Sequence, residues 1–582
     1  MPLPLASSER VRFGQFDFDR RTLELRHAGR PVRLERQPAQ VLSTLLSKAG
    51  ELVTREELQQ EIWSRDTFVD FEAGLNYCLG HLRATLGDAA SHPTFIETLR
   101  GRGYRFVSPV ERVGGNVRTI AVLPFDNIGG DVSQEFVADG VADGLITELG
   151  KIGALRVISR QSVLAFKGST LAMPEIARRL RADTVLEGSV LRHGDRLRIT
   201  AQLIEVEPER HLWAESYDGD PREFMDVLVR VARAVAGAIS VVLVPEDEAR
   251  LAPANAEQRR SYRPDAQTAY LKARFHLGKW SGADFEQGVR LLHETIAIDP
   301  SHAPAHASLA SCLSLLGYNG MAPARVVYPQ AKAAAQRAVD LDPQSSYGHT
   351  SLGFVKLVYD WDFEGASACF ERAIETGPNN EDALLTHAMY LLWVRGEKPR
   401  ALAEVRAALA IDPVSPFTNS MAPWVTLMAY EWDEAARLAE HALTMYPDAP
   451  QPATALAWTH VARGRLAEAT ALFEAVASKS SDPMTQGFLG HVYGLAGRTD
   501  DARRILDRLK KADPTGHTCA KSIVAVLAGI GDLDGAFAWM DRGIAERDGG
   551  LLSLRASPPF LPLAGDPRFE TAARKMGLPP RS

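Results

Sequence analysis

WDEAARLAEHALTMYP, residues 432–447, sets an aromatic residue before two acids, a small residue at Ala435, further small residues at Ala439 and Ala442, and a closing Pro447. DFEGASACFERAIETGP repeats the pattern with Phe363, Ala366, Phe370, Ala373 and Pro378. The small anchor returns at Gly288, Ala331, Ala366, Ala401, Ala435, Ala469, Ala502 and Ala536, with successive spacings of 43, 35, 35, 34, 34, 33 and 34 residues. A fixed period of this length is the signature of a stacked repeat.

A small residue lets a neighbouring helix approach closely, and a side chain four residues later lies on the same helix face. Proline cannot continue a helix and resets the chain for the next unit. The pattern therefore predicts helix–turn–helix units. It resembles the tetratricopeptide repeat over about Asp265 to Ile544, although the usual first-helix Trp, Leu-Gly and Tyr positions are mostly degenerate. The 43-residue gap places an insertion near Gly317–Pro329, and SPPFLPLAGDPRFETAARKMGL reads as a final capping helix.

The first 110 residues read differently. FGQFDFDRRTLELRHAGRPVRL alternates apolar and polar residues and breaks at His27-Ala28-Gly29, which predicts short antiparallel strands. Helices are expected over Gln37–Ala49, Thr54–Ile62 and Phe71–Leu86, the second opening on a capping box of Thr54 and Glu57. FIETLRGRGYRFVSP closes the module as two strands around an Arg-Gly-Arg-Gly turn. LVTREELQQEIW, LNYCLGHLRATLGD and FIETLRGRGYRF together resemble the OmpR/PhoB-type winged-helix DNA-binding domain, here at the N-terminus as in CadC-like regulators.

Between the two, Thr119–Leu243 interleaves strands (TIAVLPF, LRVIS, TVLEGSVL, RLRITAQLIEVE) with helices, which argues for an α/β layer. A turn is expected between RLRITAQLIEVE and the helix FMDVLVRVARAVAGAIS. The segment is similar to the TolB N-terminal-like domain. The expected organisation is a winged helix-turn-helix at 10–110, a sandwich-like α/β domain at 118–244 and a tetratricopeptide α-solenoid of about eight repeats at 265–582. The fold class is thus multidomain α/β plus all-α.

The chain of 582 residues is 45% hydrophobic and 24% charged with net charge −7, so it is not a protein that coats nucleic acid along its length. Residues 1–110 hold 15 Lys/Arg against 14 Asp/Glu, a weakly basic reader whose non-specific DNA binding should be weak and salt-sensitive. Cys78, Cys312, Cys369 and Cys519 are far apart, which argues against a disulfide framework or zinc ribbon and fits a reducing compartment. No basic start followed by a long apolar run opens the chain, and AVAGAISVVLV (Ala234–Val244) is about half the roughly 20 residues of a membrane span. A cytoplasmic protein is expected, with no membrane partner.

In the third helix Leu75, Leu79, Leu82 and Leu86 share one face and predict core contacts. Ala73, Tyr77, Gly80, His81 and Ala84 fall opposite, with Asn76 and Arg83 on the flanks. The resemblance implies that this helix enters the major groove. Asn76 and Tyr77 are then base-edge candidates, and His81 and Arg83 base or phosphate candidates. Family members often carry Arg or Asn where this chain has Gly80, which removes a contact. Arg100 and Arg102, alternating with Gly101 and Gly103, form a wing able to push cations into a minor groove.

Only about ten residues precede the winged helix, too few for a phosphoacceptor receiver. No phosphate-binding loop, zinc helix or nucleophile elbow occurs, so neither an enzyme nor a cofactor or metal is expected. Asp139/Asp143 and Asp131/Glu135 have i, i+4 spacing and could hold a cation, but a solvated helix face is the commoner outcome. His302 and His306 share that spacing around Pro304, and Gly188 in VLEGSV reads as a strand bulge. Trp432 and Phe363 occupy repeat-core positions. Trp393 and Trp424 lie on first helices, which line the concave side of such arrays, although packing is their commoner role. The resulting reading is a one-component transcriptional regulator that binds double-stranded DNA as a homodimer and meets a protein, peptide or small-molecule signal on its repeats. The alternative is a repeat scaffold whose winged helix has lost DNA affinity.

Overall fold

The computed structural model describes residues 10–580 except 15, 20–22, 28–29, 33, 51, 63–70, 90–92, 100, 109–110, 113–117, 132–133, 194–195, 208, 221–223, 240, 242, 252–261, 278–281, 481 and 512–518. The chain divides into two units, residues 1–117 and 118–582.

In the first unit, β1 (Arg10–Phe13), β2 (Phe16–Asp19), β3 (Glu24–His27) and β4 (Arg30–Val32) form an antiparallel meander, and β8 (Glu111–Arg112) pairs with β1. Three helices follow: α1 (Arg36–Ser47), α2 (Arg55–Ile62) and α3 (Phe71–Leu86). The capping box forms in both directions. The Glu57 amide donates to Thr54 Oγ1 at 3.2 Å and the Thr54 amide to Glu57 Oε2 at 2.8 Å. A second sheet, in the order β5 (Val53–Thr54), β7 (Gly103–Phe106), β6 (Ile96–Leu99), carries the wing. Leu75, Leu79, Leu82 and Leu86 are buried against Phe13, Leu42 and Phe106 in one core.

The second unit opens with a six-stranded sheet. Its main path runs β11 (Leu155–Val157), β9 (Arg118–Val122), β12 (Thr184–His193), β13 (Arg196–Glu205), β14 (Arg210–Gly219), with β10 (Asp126–Asn127) beside β12. Helices α4 (Glu135–Leu149) and α7 (Phe224–Ala238) cover one face, and α5 (Arg160–Leu164) and α6 (Met173–Leu180) contribute to a smaller apolar layer with β9 and β12. In place of the expected turn, residues 210–219 form the ten-residue strand β14. The expected bulge at Gly188 is absent. Gly188 pairs in register with Ala201, and a Cβ there would collide with the Thr200 carbonyl and the Phe125 ring. The irregularity lies instead between β13 and β14 at Leu203/Ile204.

Eight helix pairs follow among the described residues, from Pro264–Leu277 with Gly282–Ile298 to Ala520–Gly529 with Leu533–Ala545. Each anchor lies on the second helix of its pair, and Ala331, Ala366, Ala401, Ala435, Ala469, Ala502 and Ala536 are all fully buried. The expected insertion is mostly helix. Ala303–Tyr318 and Ala324–Leu341 run 16 and 18 residues around a short turn, with Pro329 inside the second.

Each first helix from the second repeat onward hands over to its partner through a residue in the left-handed region. These are Gly320, Trp361, Gly396, Tyr430, Gly464, Gly497 and Gly531, with φ between 61° and 79°. Trp361 and Tyr430 occupy a conformation that costs an L-residue about 1–2 kcal/mol, and both reach the end of the chain. Trp361 lies under the Arg547 guanidinium, 3.8 Å from ring centroid to Cζ, and the Tyr430 hydroxyl bonds the Arg555 carbonyl. The tail itself is a 3₁₀ turn (Pro558–Leu563) and a helix (Pro567–Lys575), with Phe560, Leu563 and Phe569 buried.

The α/β layer and the solenoid are fastened together. Arg274 of the first repeat makes two hydrogen bonds to Asp143 of α4, at 2.9 and 3.0 Å, and Arg160 lies 3.6 Å from the same carboxylate. Burial pushes the Asp143 pKa up, but the two guanidinium groups outweigh it and hold the carboxyl below its usual range. Lys167 pairs with Asp139 and Glu135. These carboxylates therefore serve as ion-pair partners, and Asp139 and Asp143 are buried, unlike the solvated face expected. Asp412, in the loop after the fourth repeat, accepts from the Ser159 amide at 2.7 Å and the Ser162 hydroxyl at 2.8 Å.

Candidate nucleic-acid interface

Helix α3 ends at Leu86, and Asp88 then organises the entry to the wing. Its Oδ1 accepts from the amides of Thr94 (2.7 Å), Ala89 (3.1 Å) and Phe95 (3.3 Å), and its Oδ2 from the Ile96 amide (2.8 Å). Four backbone donors on one carboxylate explain why an acid follows Leu86-Gly87. The Leu-Gly-Asp signature is plain in the sequence, but this role is not.

The wing hairpin joins β6 to β7 with Leu99 opposite Gly103, and the Arg102 amide donates to the Leu99 carbonyl at 2.9 Å. Gly103 has φ +148° and pairs with Thr54 of β5, so close that a Cβ would run into the Val53 carbonyl. Arg102 is exposed at the hairpin tip; Arg100 lies outside the described residues.

On α3, Asn76, Tyr77, Gly80 and Ala84 are exposed and His81 is half-buried. Asn76, Gly80 and Ala84 fall at i, i+4 steps, and Tyr77 stands one turn before His81, their ring centroids 6.1 Å apart. Tyr77 is 55% exposed although apolar in most of its surface. The space above Gly80 is open, with nothing within 4 Å of the point a Cβ would occupy. Packing therefore does not demand glycine there.

Arg83 faces elsewhere. Its Nη2 donates to the Ile96 carbonyl at 3.0 Å and to Thr98 Oγ1 at 2.8 Å, tying the last turn of α3 to the first wing strand. The structure thus joins Asn76, Tyr77 and His81 on one helix, sets Arg102 on the wing, and gives Arg83 a bracing position between helix and wing. Arg55 braces the same region from below, its Nη2 donating to the Tyr104 hydroxyl at 3.0 Å.

The His302 and His306 pair has a structural explanation. His302 Nδ1 accepts from the Ala305 amide as the cap of its helix, and Nε2 meets Gln267 Oε1 at 3.0 Å, which requires the neutral ring. Burial lowers its pKa to about 4. His306 Nε2 meets the Pro300 carbonyl at 3.1 Å. Among the described residues no group of three or more His, Cys, Asp or Glu is placed to hold a metal ion, and no helix is long and apolar enough to cross a membrane.

A helix presented beside a braced wing defines the OmpR/PhoB-type class of DNA-binding domain. Residues 29–106 match the family model described as transcriptional regulatory protein, C terminal. Residues 116–233 match the second domain of HilA/YgeH-like transcriptional regulators, a more specific likeness than the TolB-like one, and residues 427–487 match a tetratricopeptide repeat model. The chain therefore joins an OmpR/PhoB-type domain to a HilA-like regulator domain and tetratricopeptide repeats.

Among curated relatives, the chain is similar to the transcriptional regulator HilA of Salmonella typhimurium, 24% identical over 412 residues, which cover 69% of this chain and 70% of HilA. It is 37% identical over 247 residues to a protein of Rhizobium meliloti named putative adenylate cyclase 3, covering 42% of this chain and 40% of that protein. The chain thus spans less than half the length of that relative. Among solved structures it is similar to the DNA-binding domain of E. coli CadC, with 26% identity, a TM-score of 0.16 and coverage of 18% of this chain and 99% of that one.

Proposed function

We propose that this protein is a cytoplasmic one-component transcriptional regulator that acts by binding rather than catalysis, without cofactor or metal. Its winged helix binds double-stranded DNA, and two copies act together on two half-sites. The observation that carries this reading is the row of exposed Asn76 and Tyr77 and half-buried His81 on α3 beside Arg102 on the wing, in a domain whose family model is that of regulators. Asn76 suits bidentate contact with an adenine edge, and Arg102 suits phosphate or a narrow minor groove.

The α/β layer and the solenoid form the input side, coupled by Asp143–Arg274 and by Asp412. A protein or peptide partner is received on the concave face of the repeats, and its occupancy alters pairing of the two copies. Trp393 and Trp424 are not its contacts. Both are buried, Trp393 stacked on Tyr318 and Trp424 packed on Phe488.

Fluorescence anisotropy of the full chain on genomic and random duplexes across a salt series tests the reading. Asn76→Ala should relax base preference by about 1–3 kcal/mol at one position. Arg102→Ala should weaken all sequences alike and reduce the salt slope by about 1. Absence of binding at low salt would instead leave a repeat scaffold with an inactive winged helix.

A further inference from the structure

Glu35 stands at the position that opens α1. Its carbonyl accepts from the Ala39 amide at 2.9 Å, and its backbone is extended, with φ −69° and ψ 155°. A residue placed there ordinarily turns its side chain onto the first free amides of the helix. Glu35 makes no such bond. Its carboxylate faces α3 instead, where the Tyr77 hydroxyl donates to its two oxygens at 3.3 and 3.4 Å. Both residues are exposed, and Tyr77 belongs to the row offered to the major groove. The Glu35 charge, reinforced by this bond, holds the Tyr77 phenol above the usual tyrosine pKa.

A tyrosine hydroxyl has a single proton to give and lone pairs to offer. With the proton turned to Glu35, only lone pairs remain for a base. We infer that Glu35 is the positioning residue for Tyr77, fixing its hydroxyl as an acceptor so that the pair selects the amine of a cytosine in the major groove.

The base edges decide the choice. Guanine shows only acceptors there, O6 and N7, and thymine shows O4 and a methyl group, so neither meets a lone pair and a carboxylate favourably. Adenine and cytosine each show a donor amine, N6 and N4. Adenine sets its N7 acceptor beside that amine, where it meets the Glu35 charge, and cytosine has no such acceptor. Cytosine is therefore favoured first and adenine second. The same carboxylate repels phosphate, which restrains binding to unrelated sequences.

Major-groove entry of α3 is the reading on which this rests, and one arm of the test needs no DNA. In that arm, NMR follows the full chain carrying tyrosine labelled at the ring carbon that bears the hydroxyl, and the Tyr77 signal is the one that Tyr77→Phe removes. Glu35→Ala takes away no cap bond, and its Tyr77 signal should titrate at lower pH than in the wild type. An unchanged titration overturns the pairing. In the second arm, a bound duplex is varied through all four base pairs at each position and followed by anisotropy. The wild type should prefer cytosine at one position by roughly fivefold. Tyr77→Phe and Glu35→Ala should each abolish that preference, with no further loss in the double variant. Glu35→Gln keeps an acceptor without the charge, so it should still favour cytosine and adenine but lose the choice between them. A cytosine preference that survives Tyr77→Phe or Glu35→Ala overturns the inference, as does a Tyr77-dependent preference for guanine or thymine. If no duplex binds, the proposed function and the base reading fall together, and the titration alone decides whether the Glu35–Tyr77 pairing stands.

Discussion

The Tyr430 hydroxyl donates a 2.8 Å hydrogen bond to the carbonyl of Arg555, 125 residues further along the chain. Tyr430 makes this contact from a left-handed backbone conformation that Gly396, Gly464, Gly497 and Gly531 hold at the corresponding turns. Lys398 adds a cation–π contact to the ring, 5.0 Å from its centroid. An aromatic side chain is thus kept where glycine is easier, at a point where it clamps the tail.

Tyr430→Phe removes the hydrogen bond and keeps the ring, at a cost of about 1 kcal/mol. Faster hydrogen exchange across residues 549–578, with the repeats beyond Tyr430 unaffected, is the expected result. Unchanged protection of the tail would show that the clamp does not hold it.

Arg274→Ala leaves the Asp143 carboxylate with Arg160 alone. Breaking a fully buried pair costs about 3–5 kcal/mol; here Arg274 keeps a third of its side chain exposed, so a loss of roughly 2 kcal/mol is expected. The double change Arg274→Met with Asp143→Asn should recover part of it. Urea midpoints of the full chain measure both, and additivity of the two single changes would deny the coupling.

Gly80→Arg should raise DNA affinity. The position is open, so the side chain fits without displacing a neighbour, and glycine inside a helix costs about 1 kcal/mol relative to better helix formers. A new phosphate contact would steepen the salt slope by roughly 0.9. Anisotropy titrations that show unchanged affinity at every salt concentration would place α3 away from the duplex.

Stability should fall in mild acid in part through His491. Its Nδ1 donates to the Ala525 carbonyl at 2.7 Å, and burial holds its pKa down at about 4, below the usual value of 6.5. Below pH 6.5 the unfolded chain takes a proton that the folded one refuses, until the pH reaches about 4. The contribution of this residue is therefore complete above 6.5 and declines by about 1.4 kcal/mol per pH unit below it. Denaturant midpoints of the wild type and His491→Gln should converge as pH drops through that window; parallel curves would contradict the assignment.

Some features are legible in the sequence because their cause is local. The 34-residue anchor spacing, the Thr54/Glu57 capping box and the leucines of α3 all follow from contacts within a few residues, which helical periodicity exposes directly. Strand β14 escapes such reading because it is an exposed edge. HLWAESY has no clean alternation of buried and solvated positions, so it resembles the turn expected there. The segment near Gly317 reads as an insertion because it is rich in glycine and proline. Pro329 is the sixth residue of its helix, inside it, where it lacks an N–H for the Arg325 carbonyl, and the helix continues past it to Leu341.

The sequence by itself determined the kinds of module, their order and the candidate residues Asn76, Tyr77, His81 and Arg102 that the fold leaves at least partly exposed on α3 and the wing, since each depends on short-range patterning. Tertiary structure decided which charges are structural. Asp143 and Arg274 lie 131 residues apart and Asp412 and Ser159 lie 253 apart, and no local pattern marks one as the other's partner. Carboxylates that read as a solvated face became buried ion pairs, and Arg83 became a brace to Thr98. The reason is desolvation: a charge carried into an interior must find its counter-charge there, and which one it meets depends on how distant segments pack.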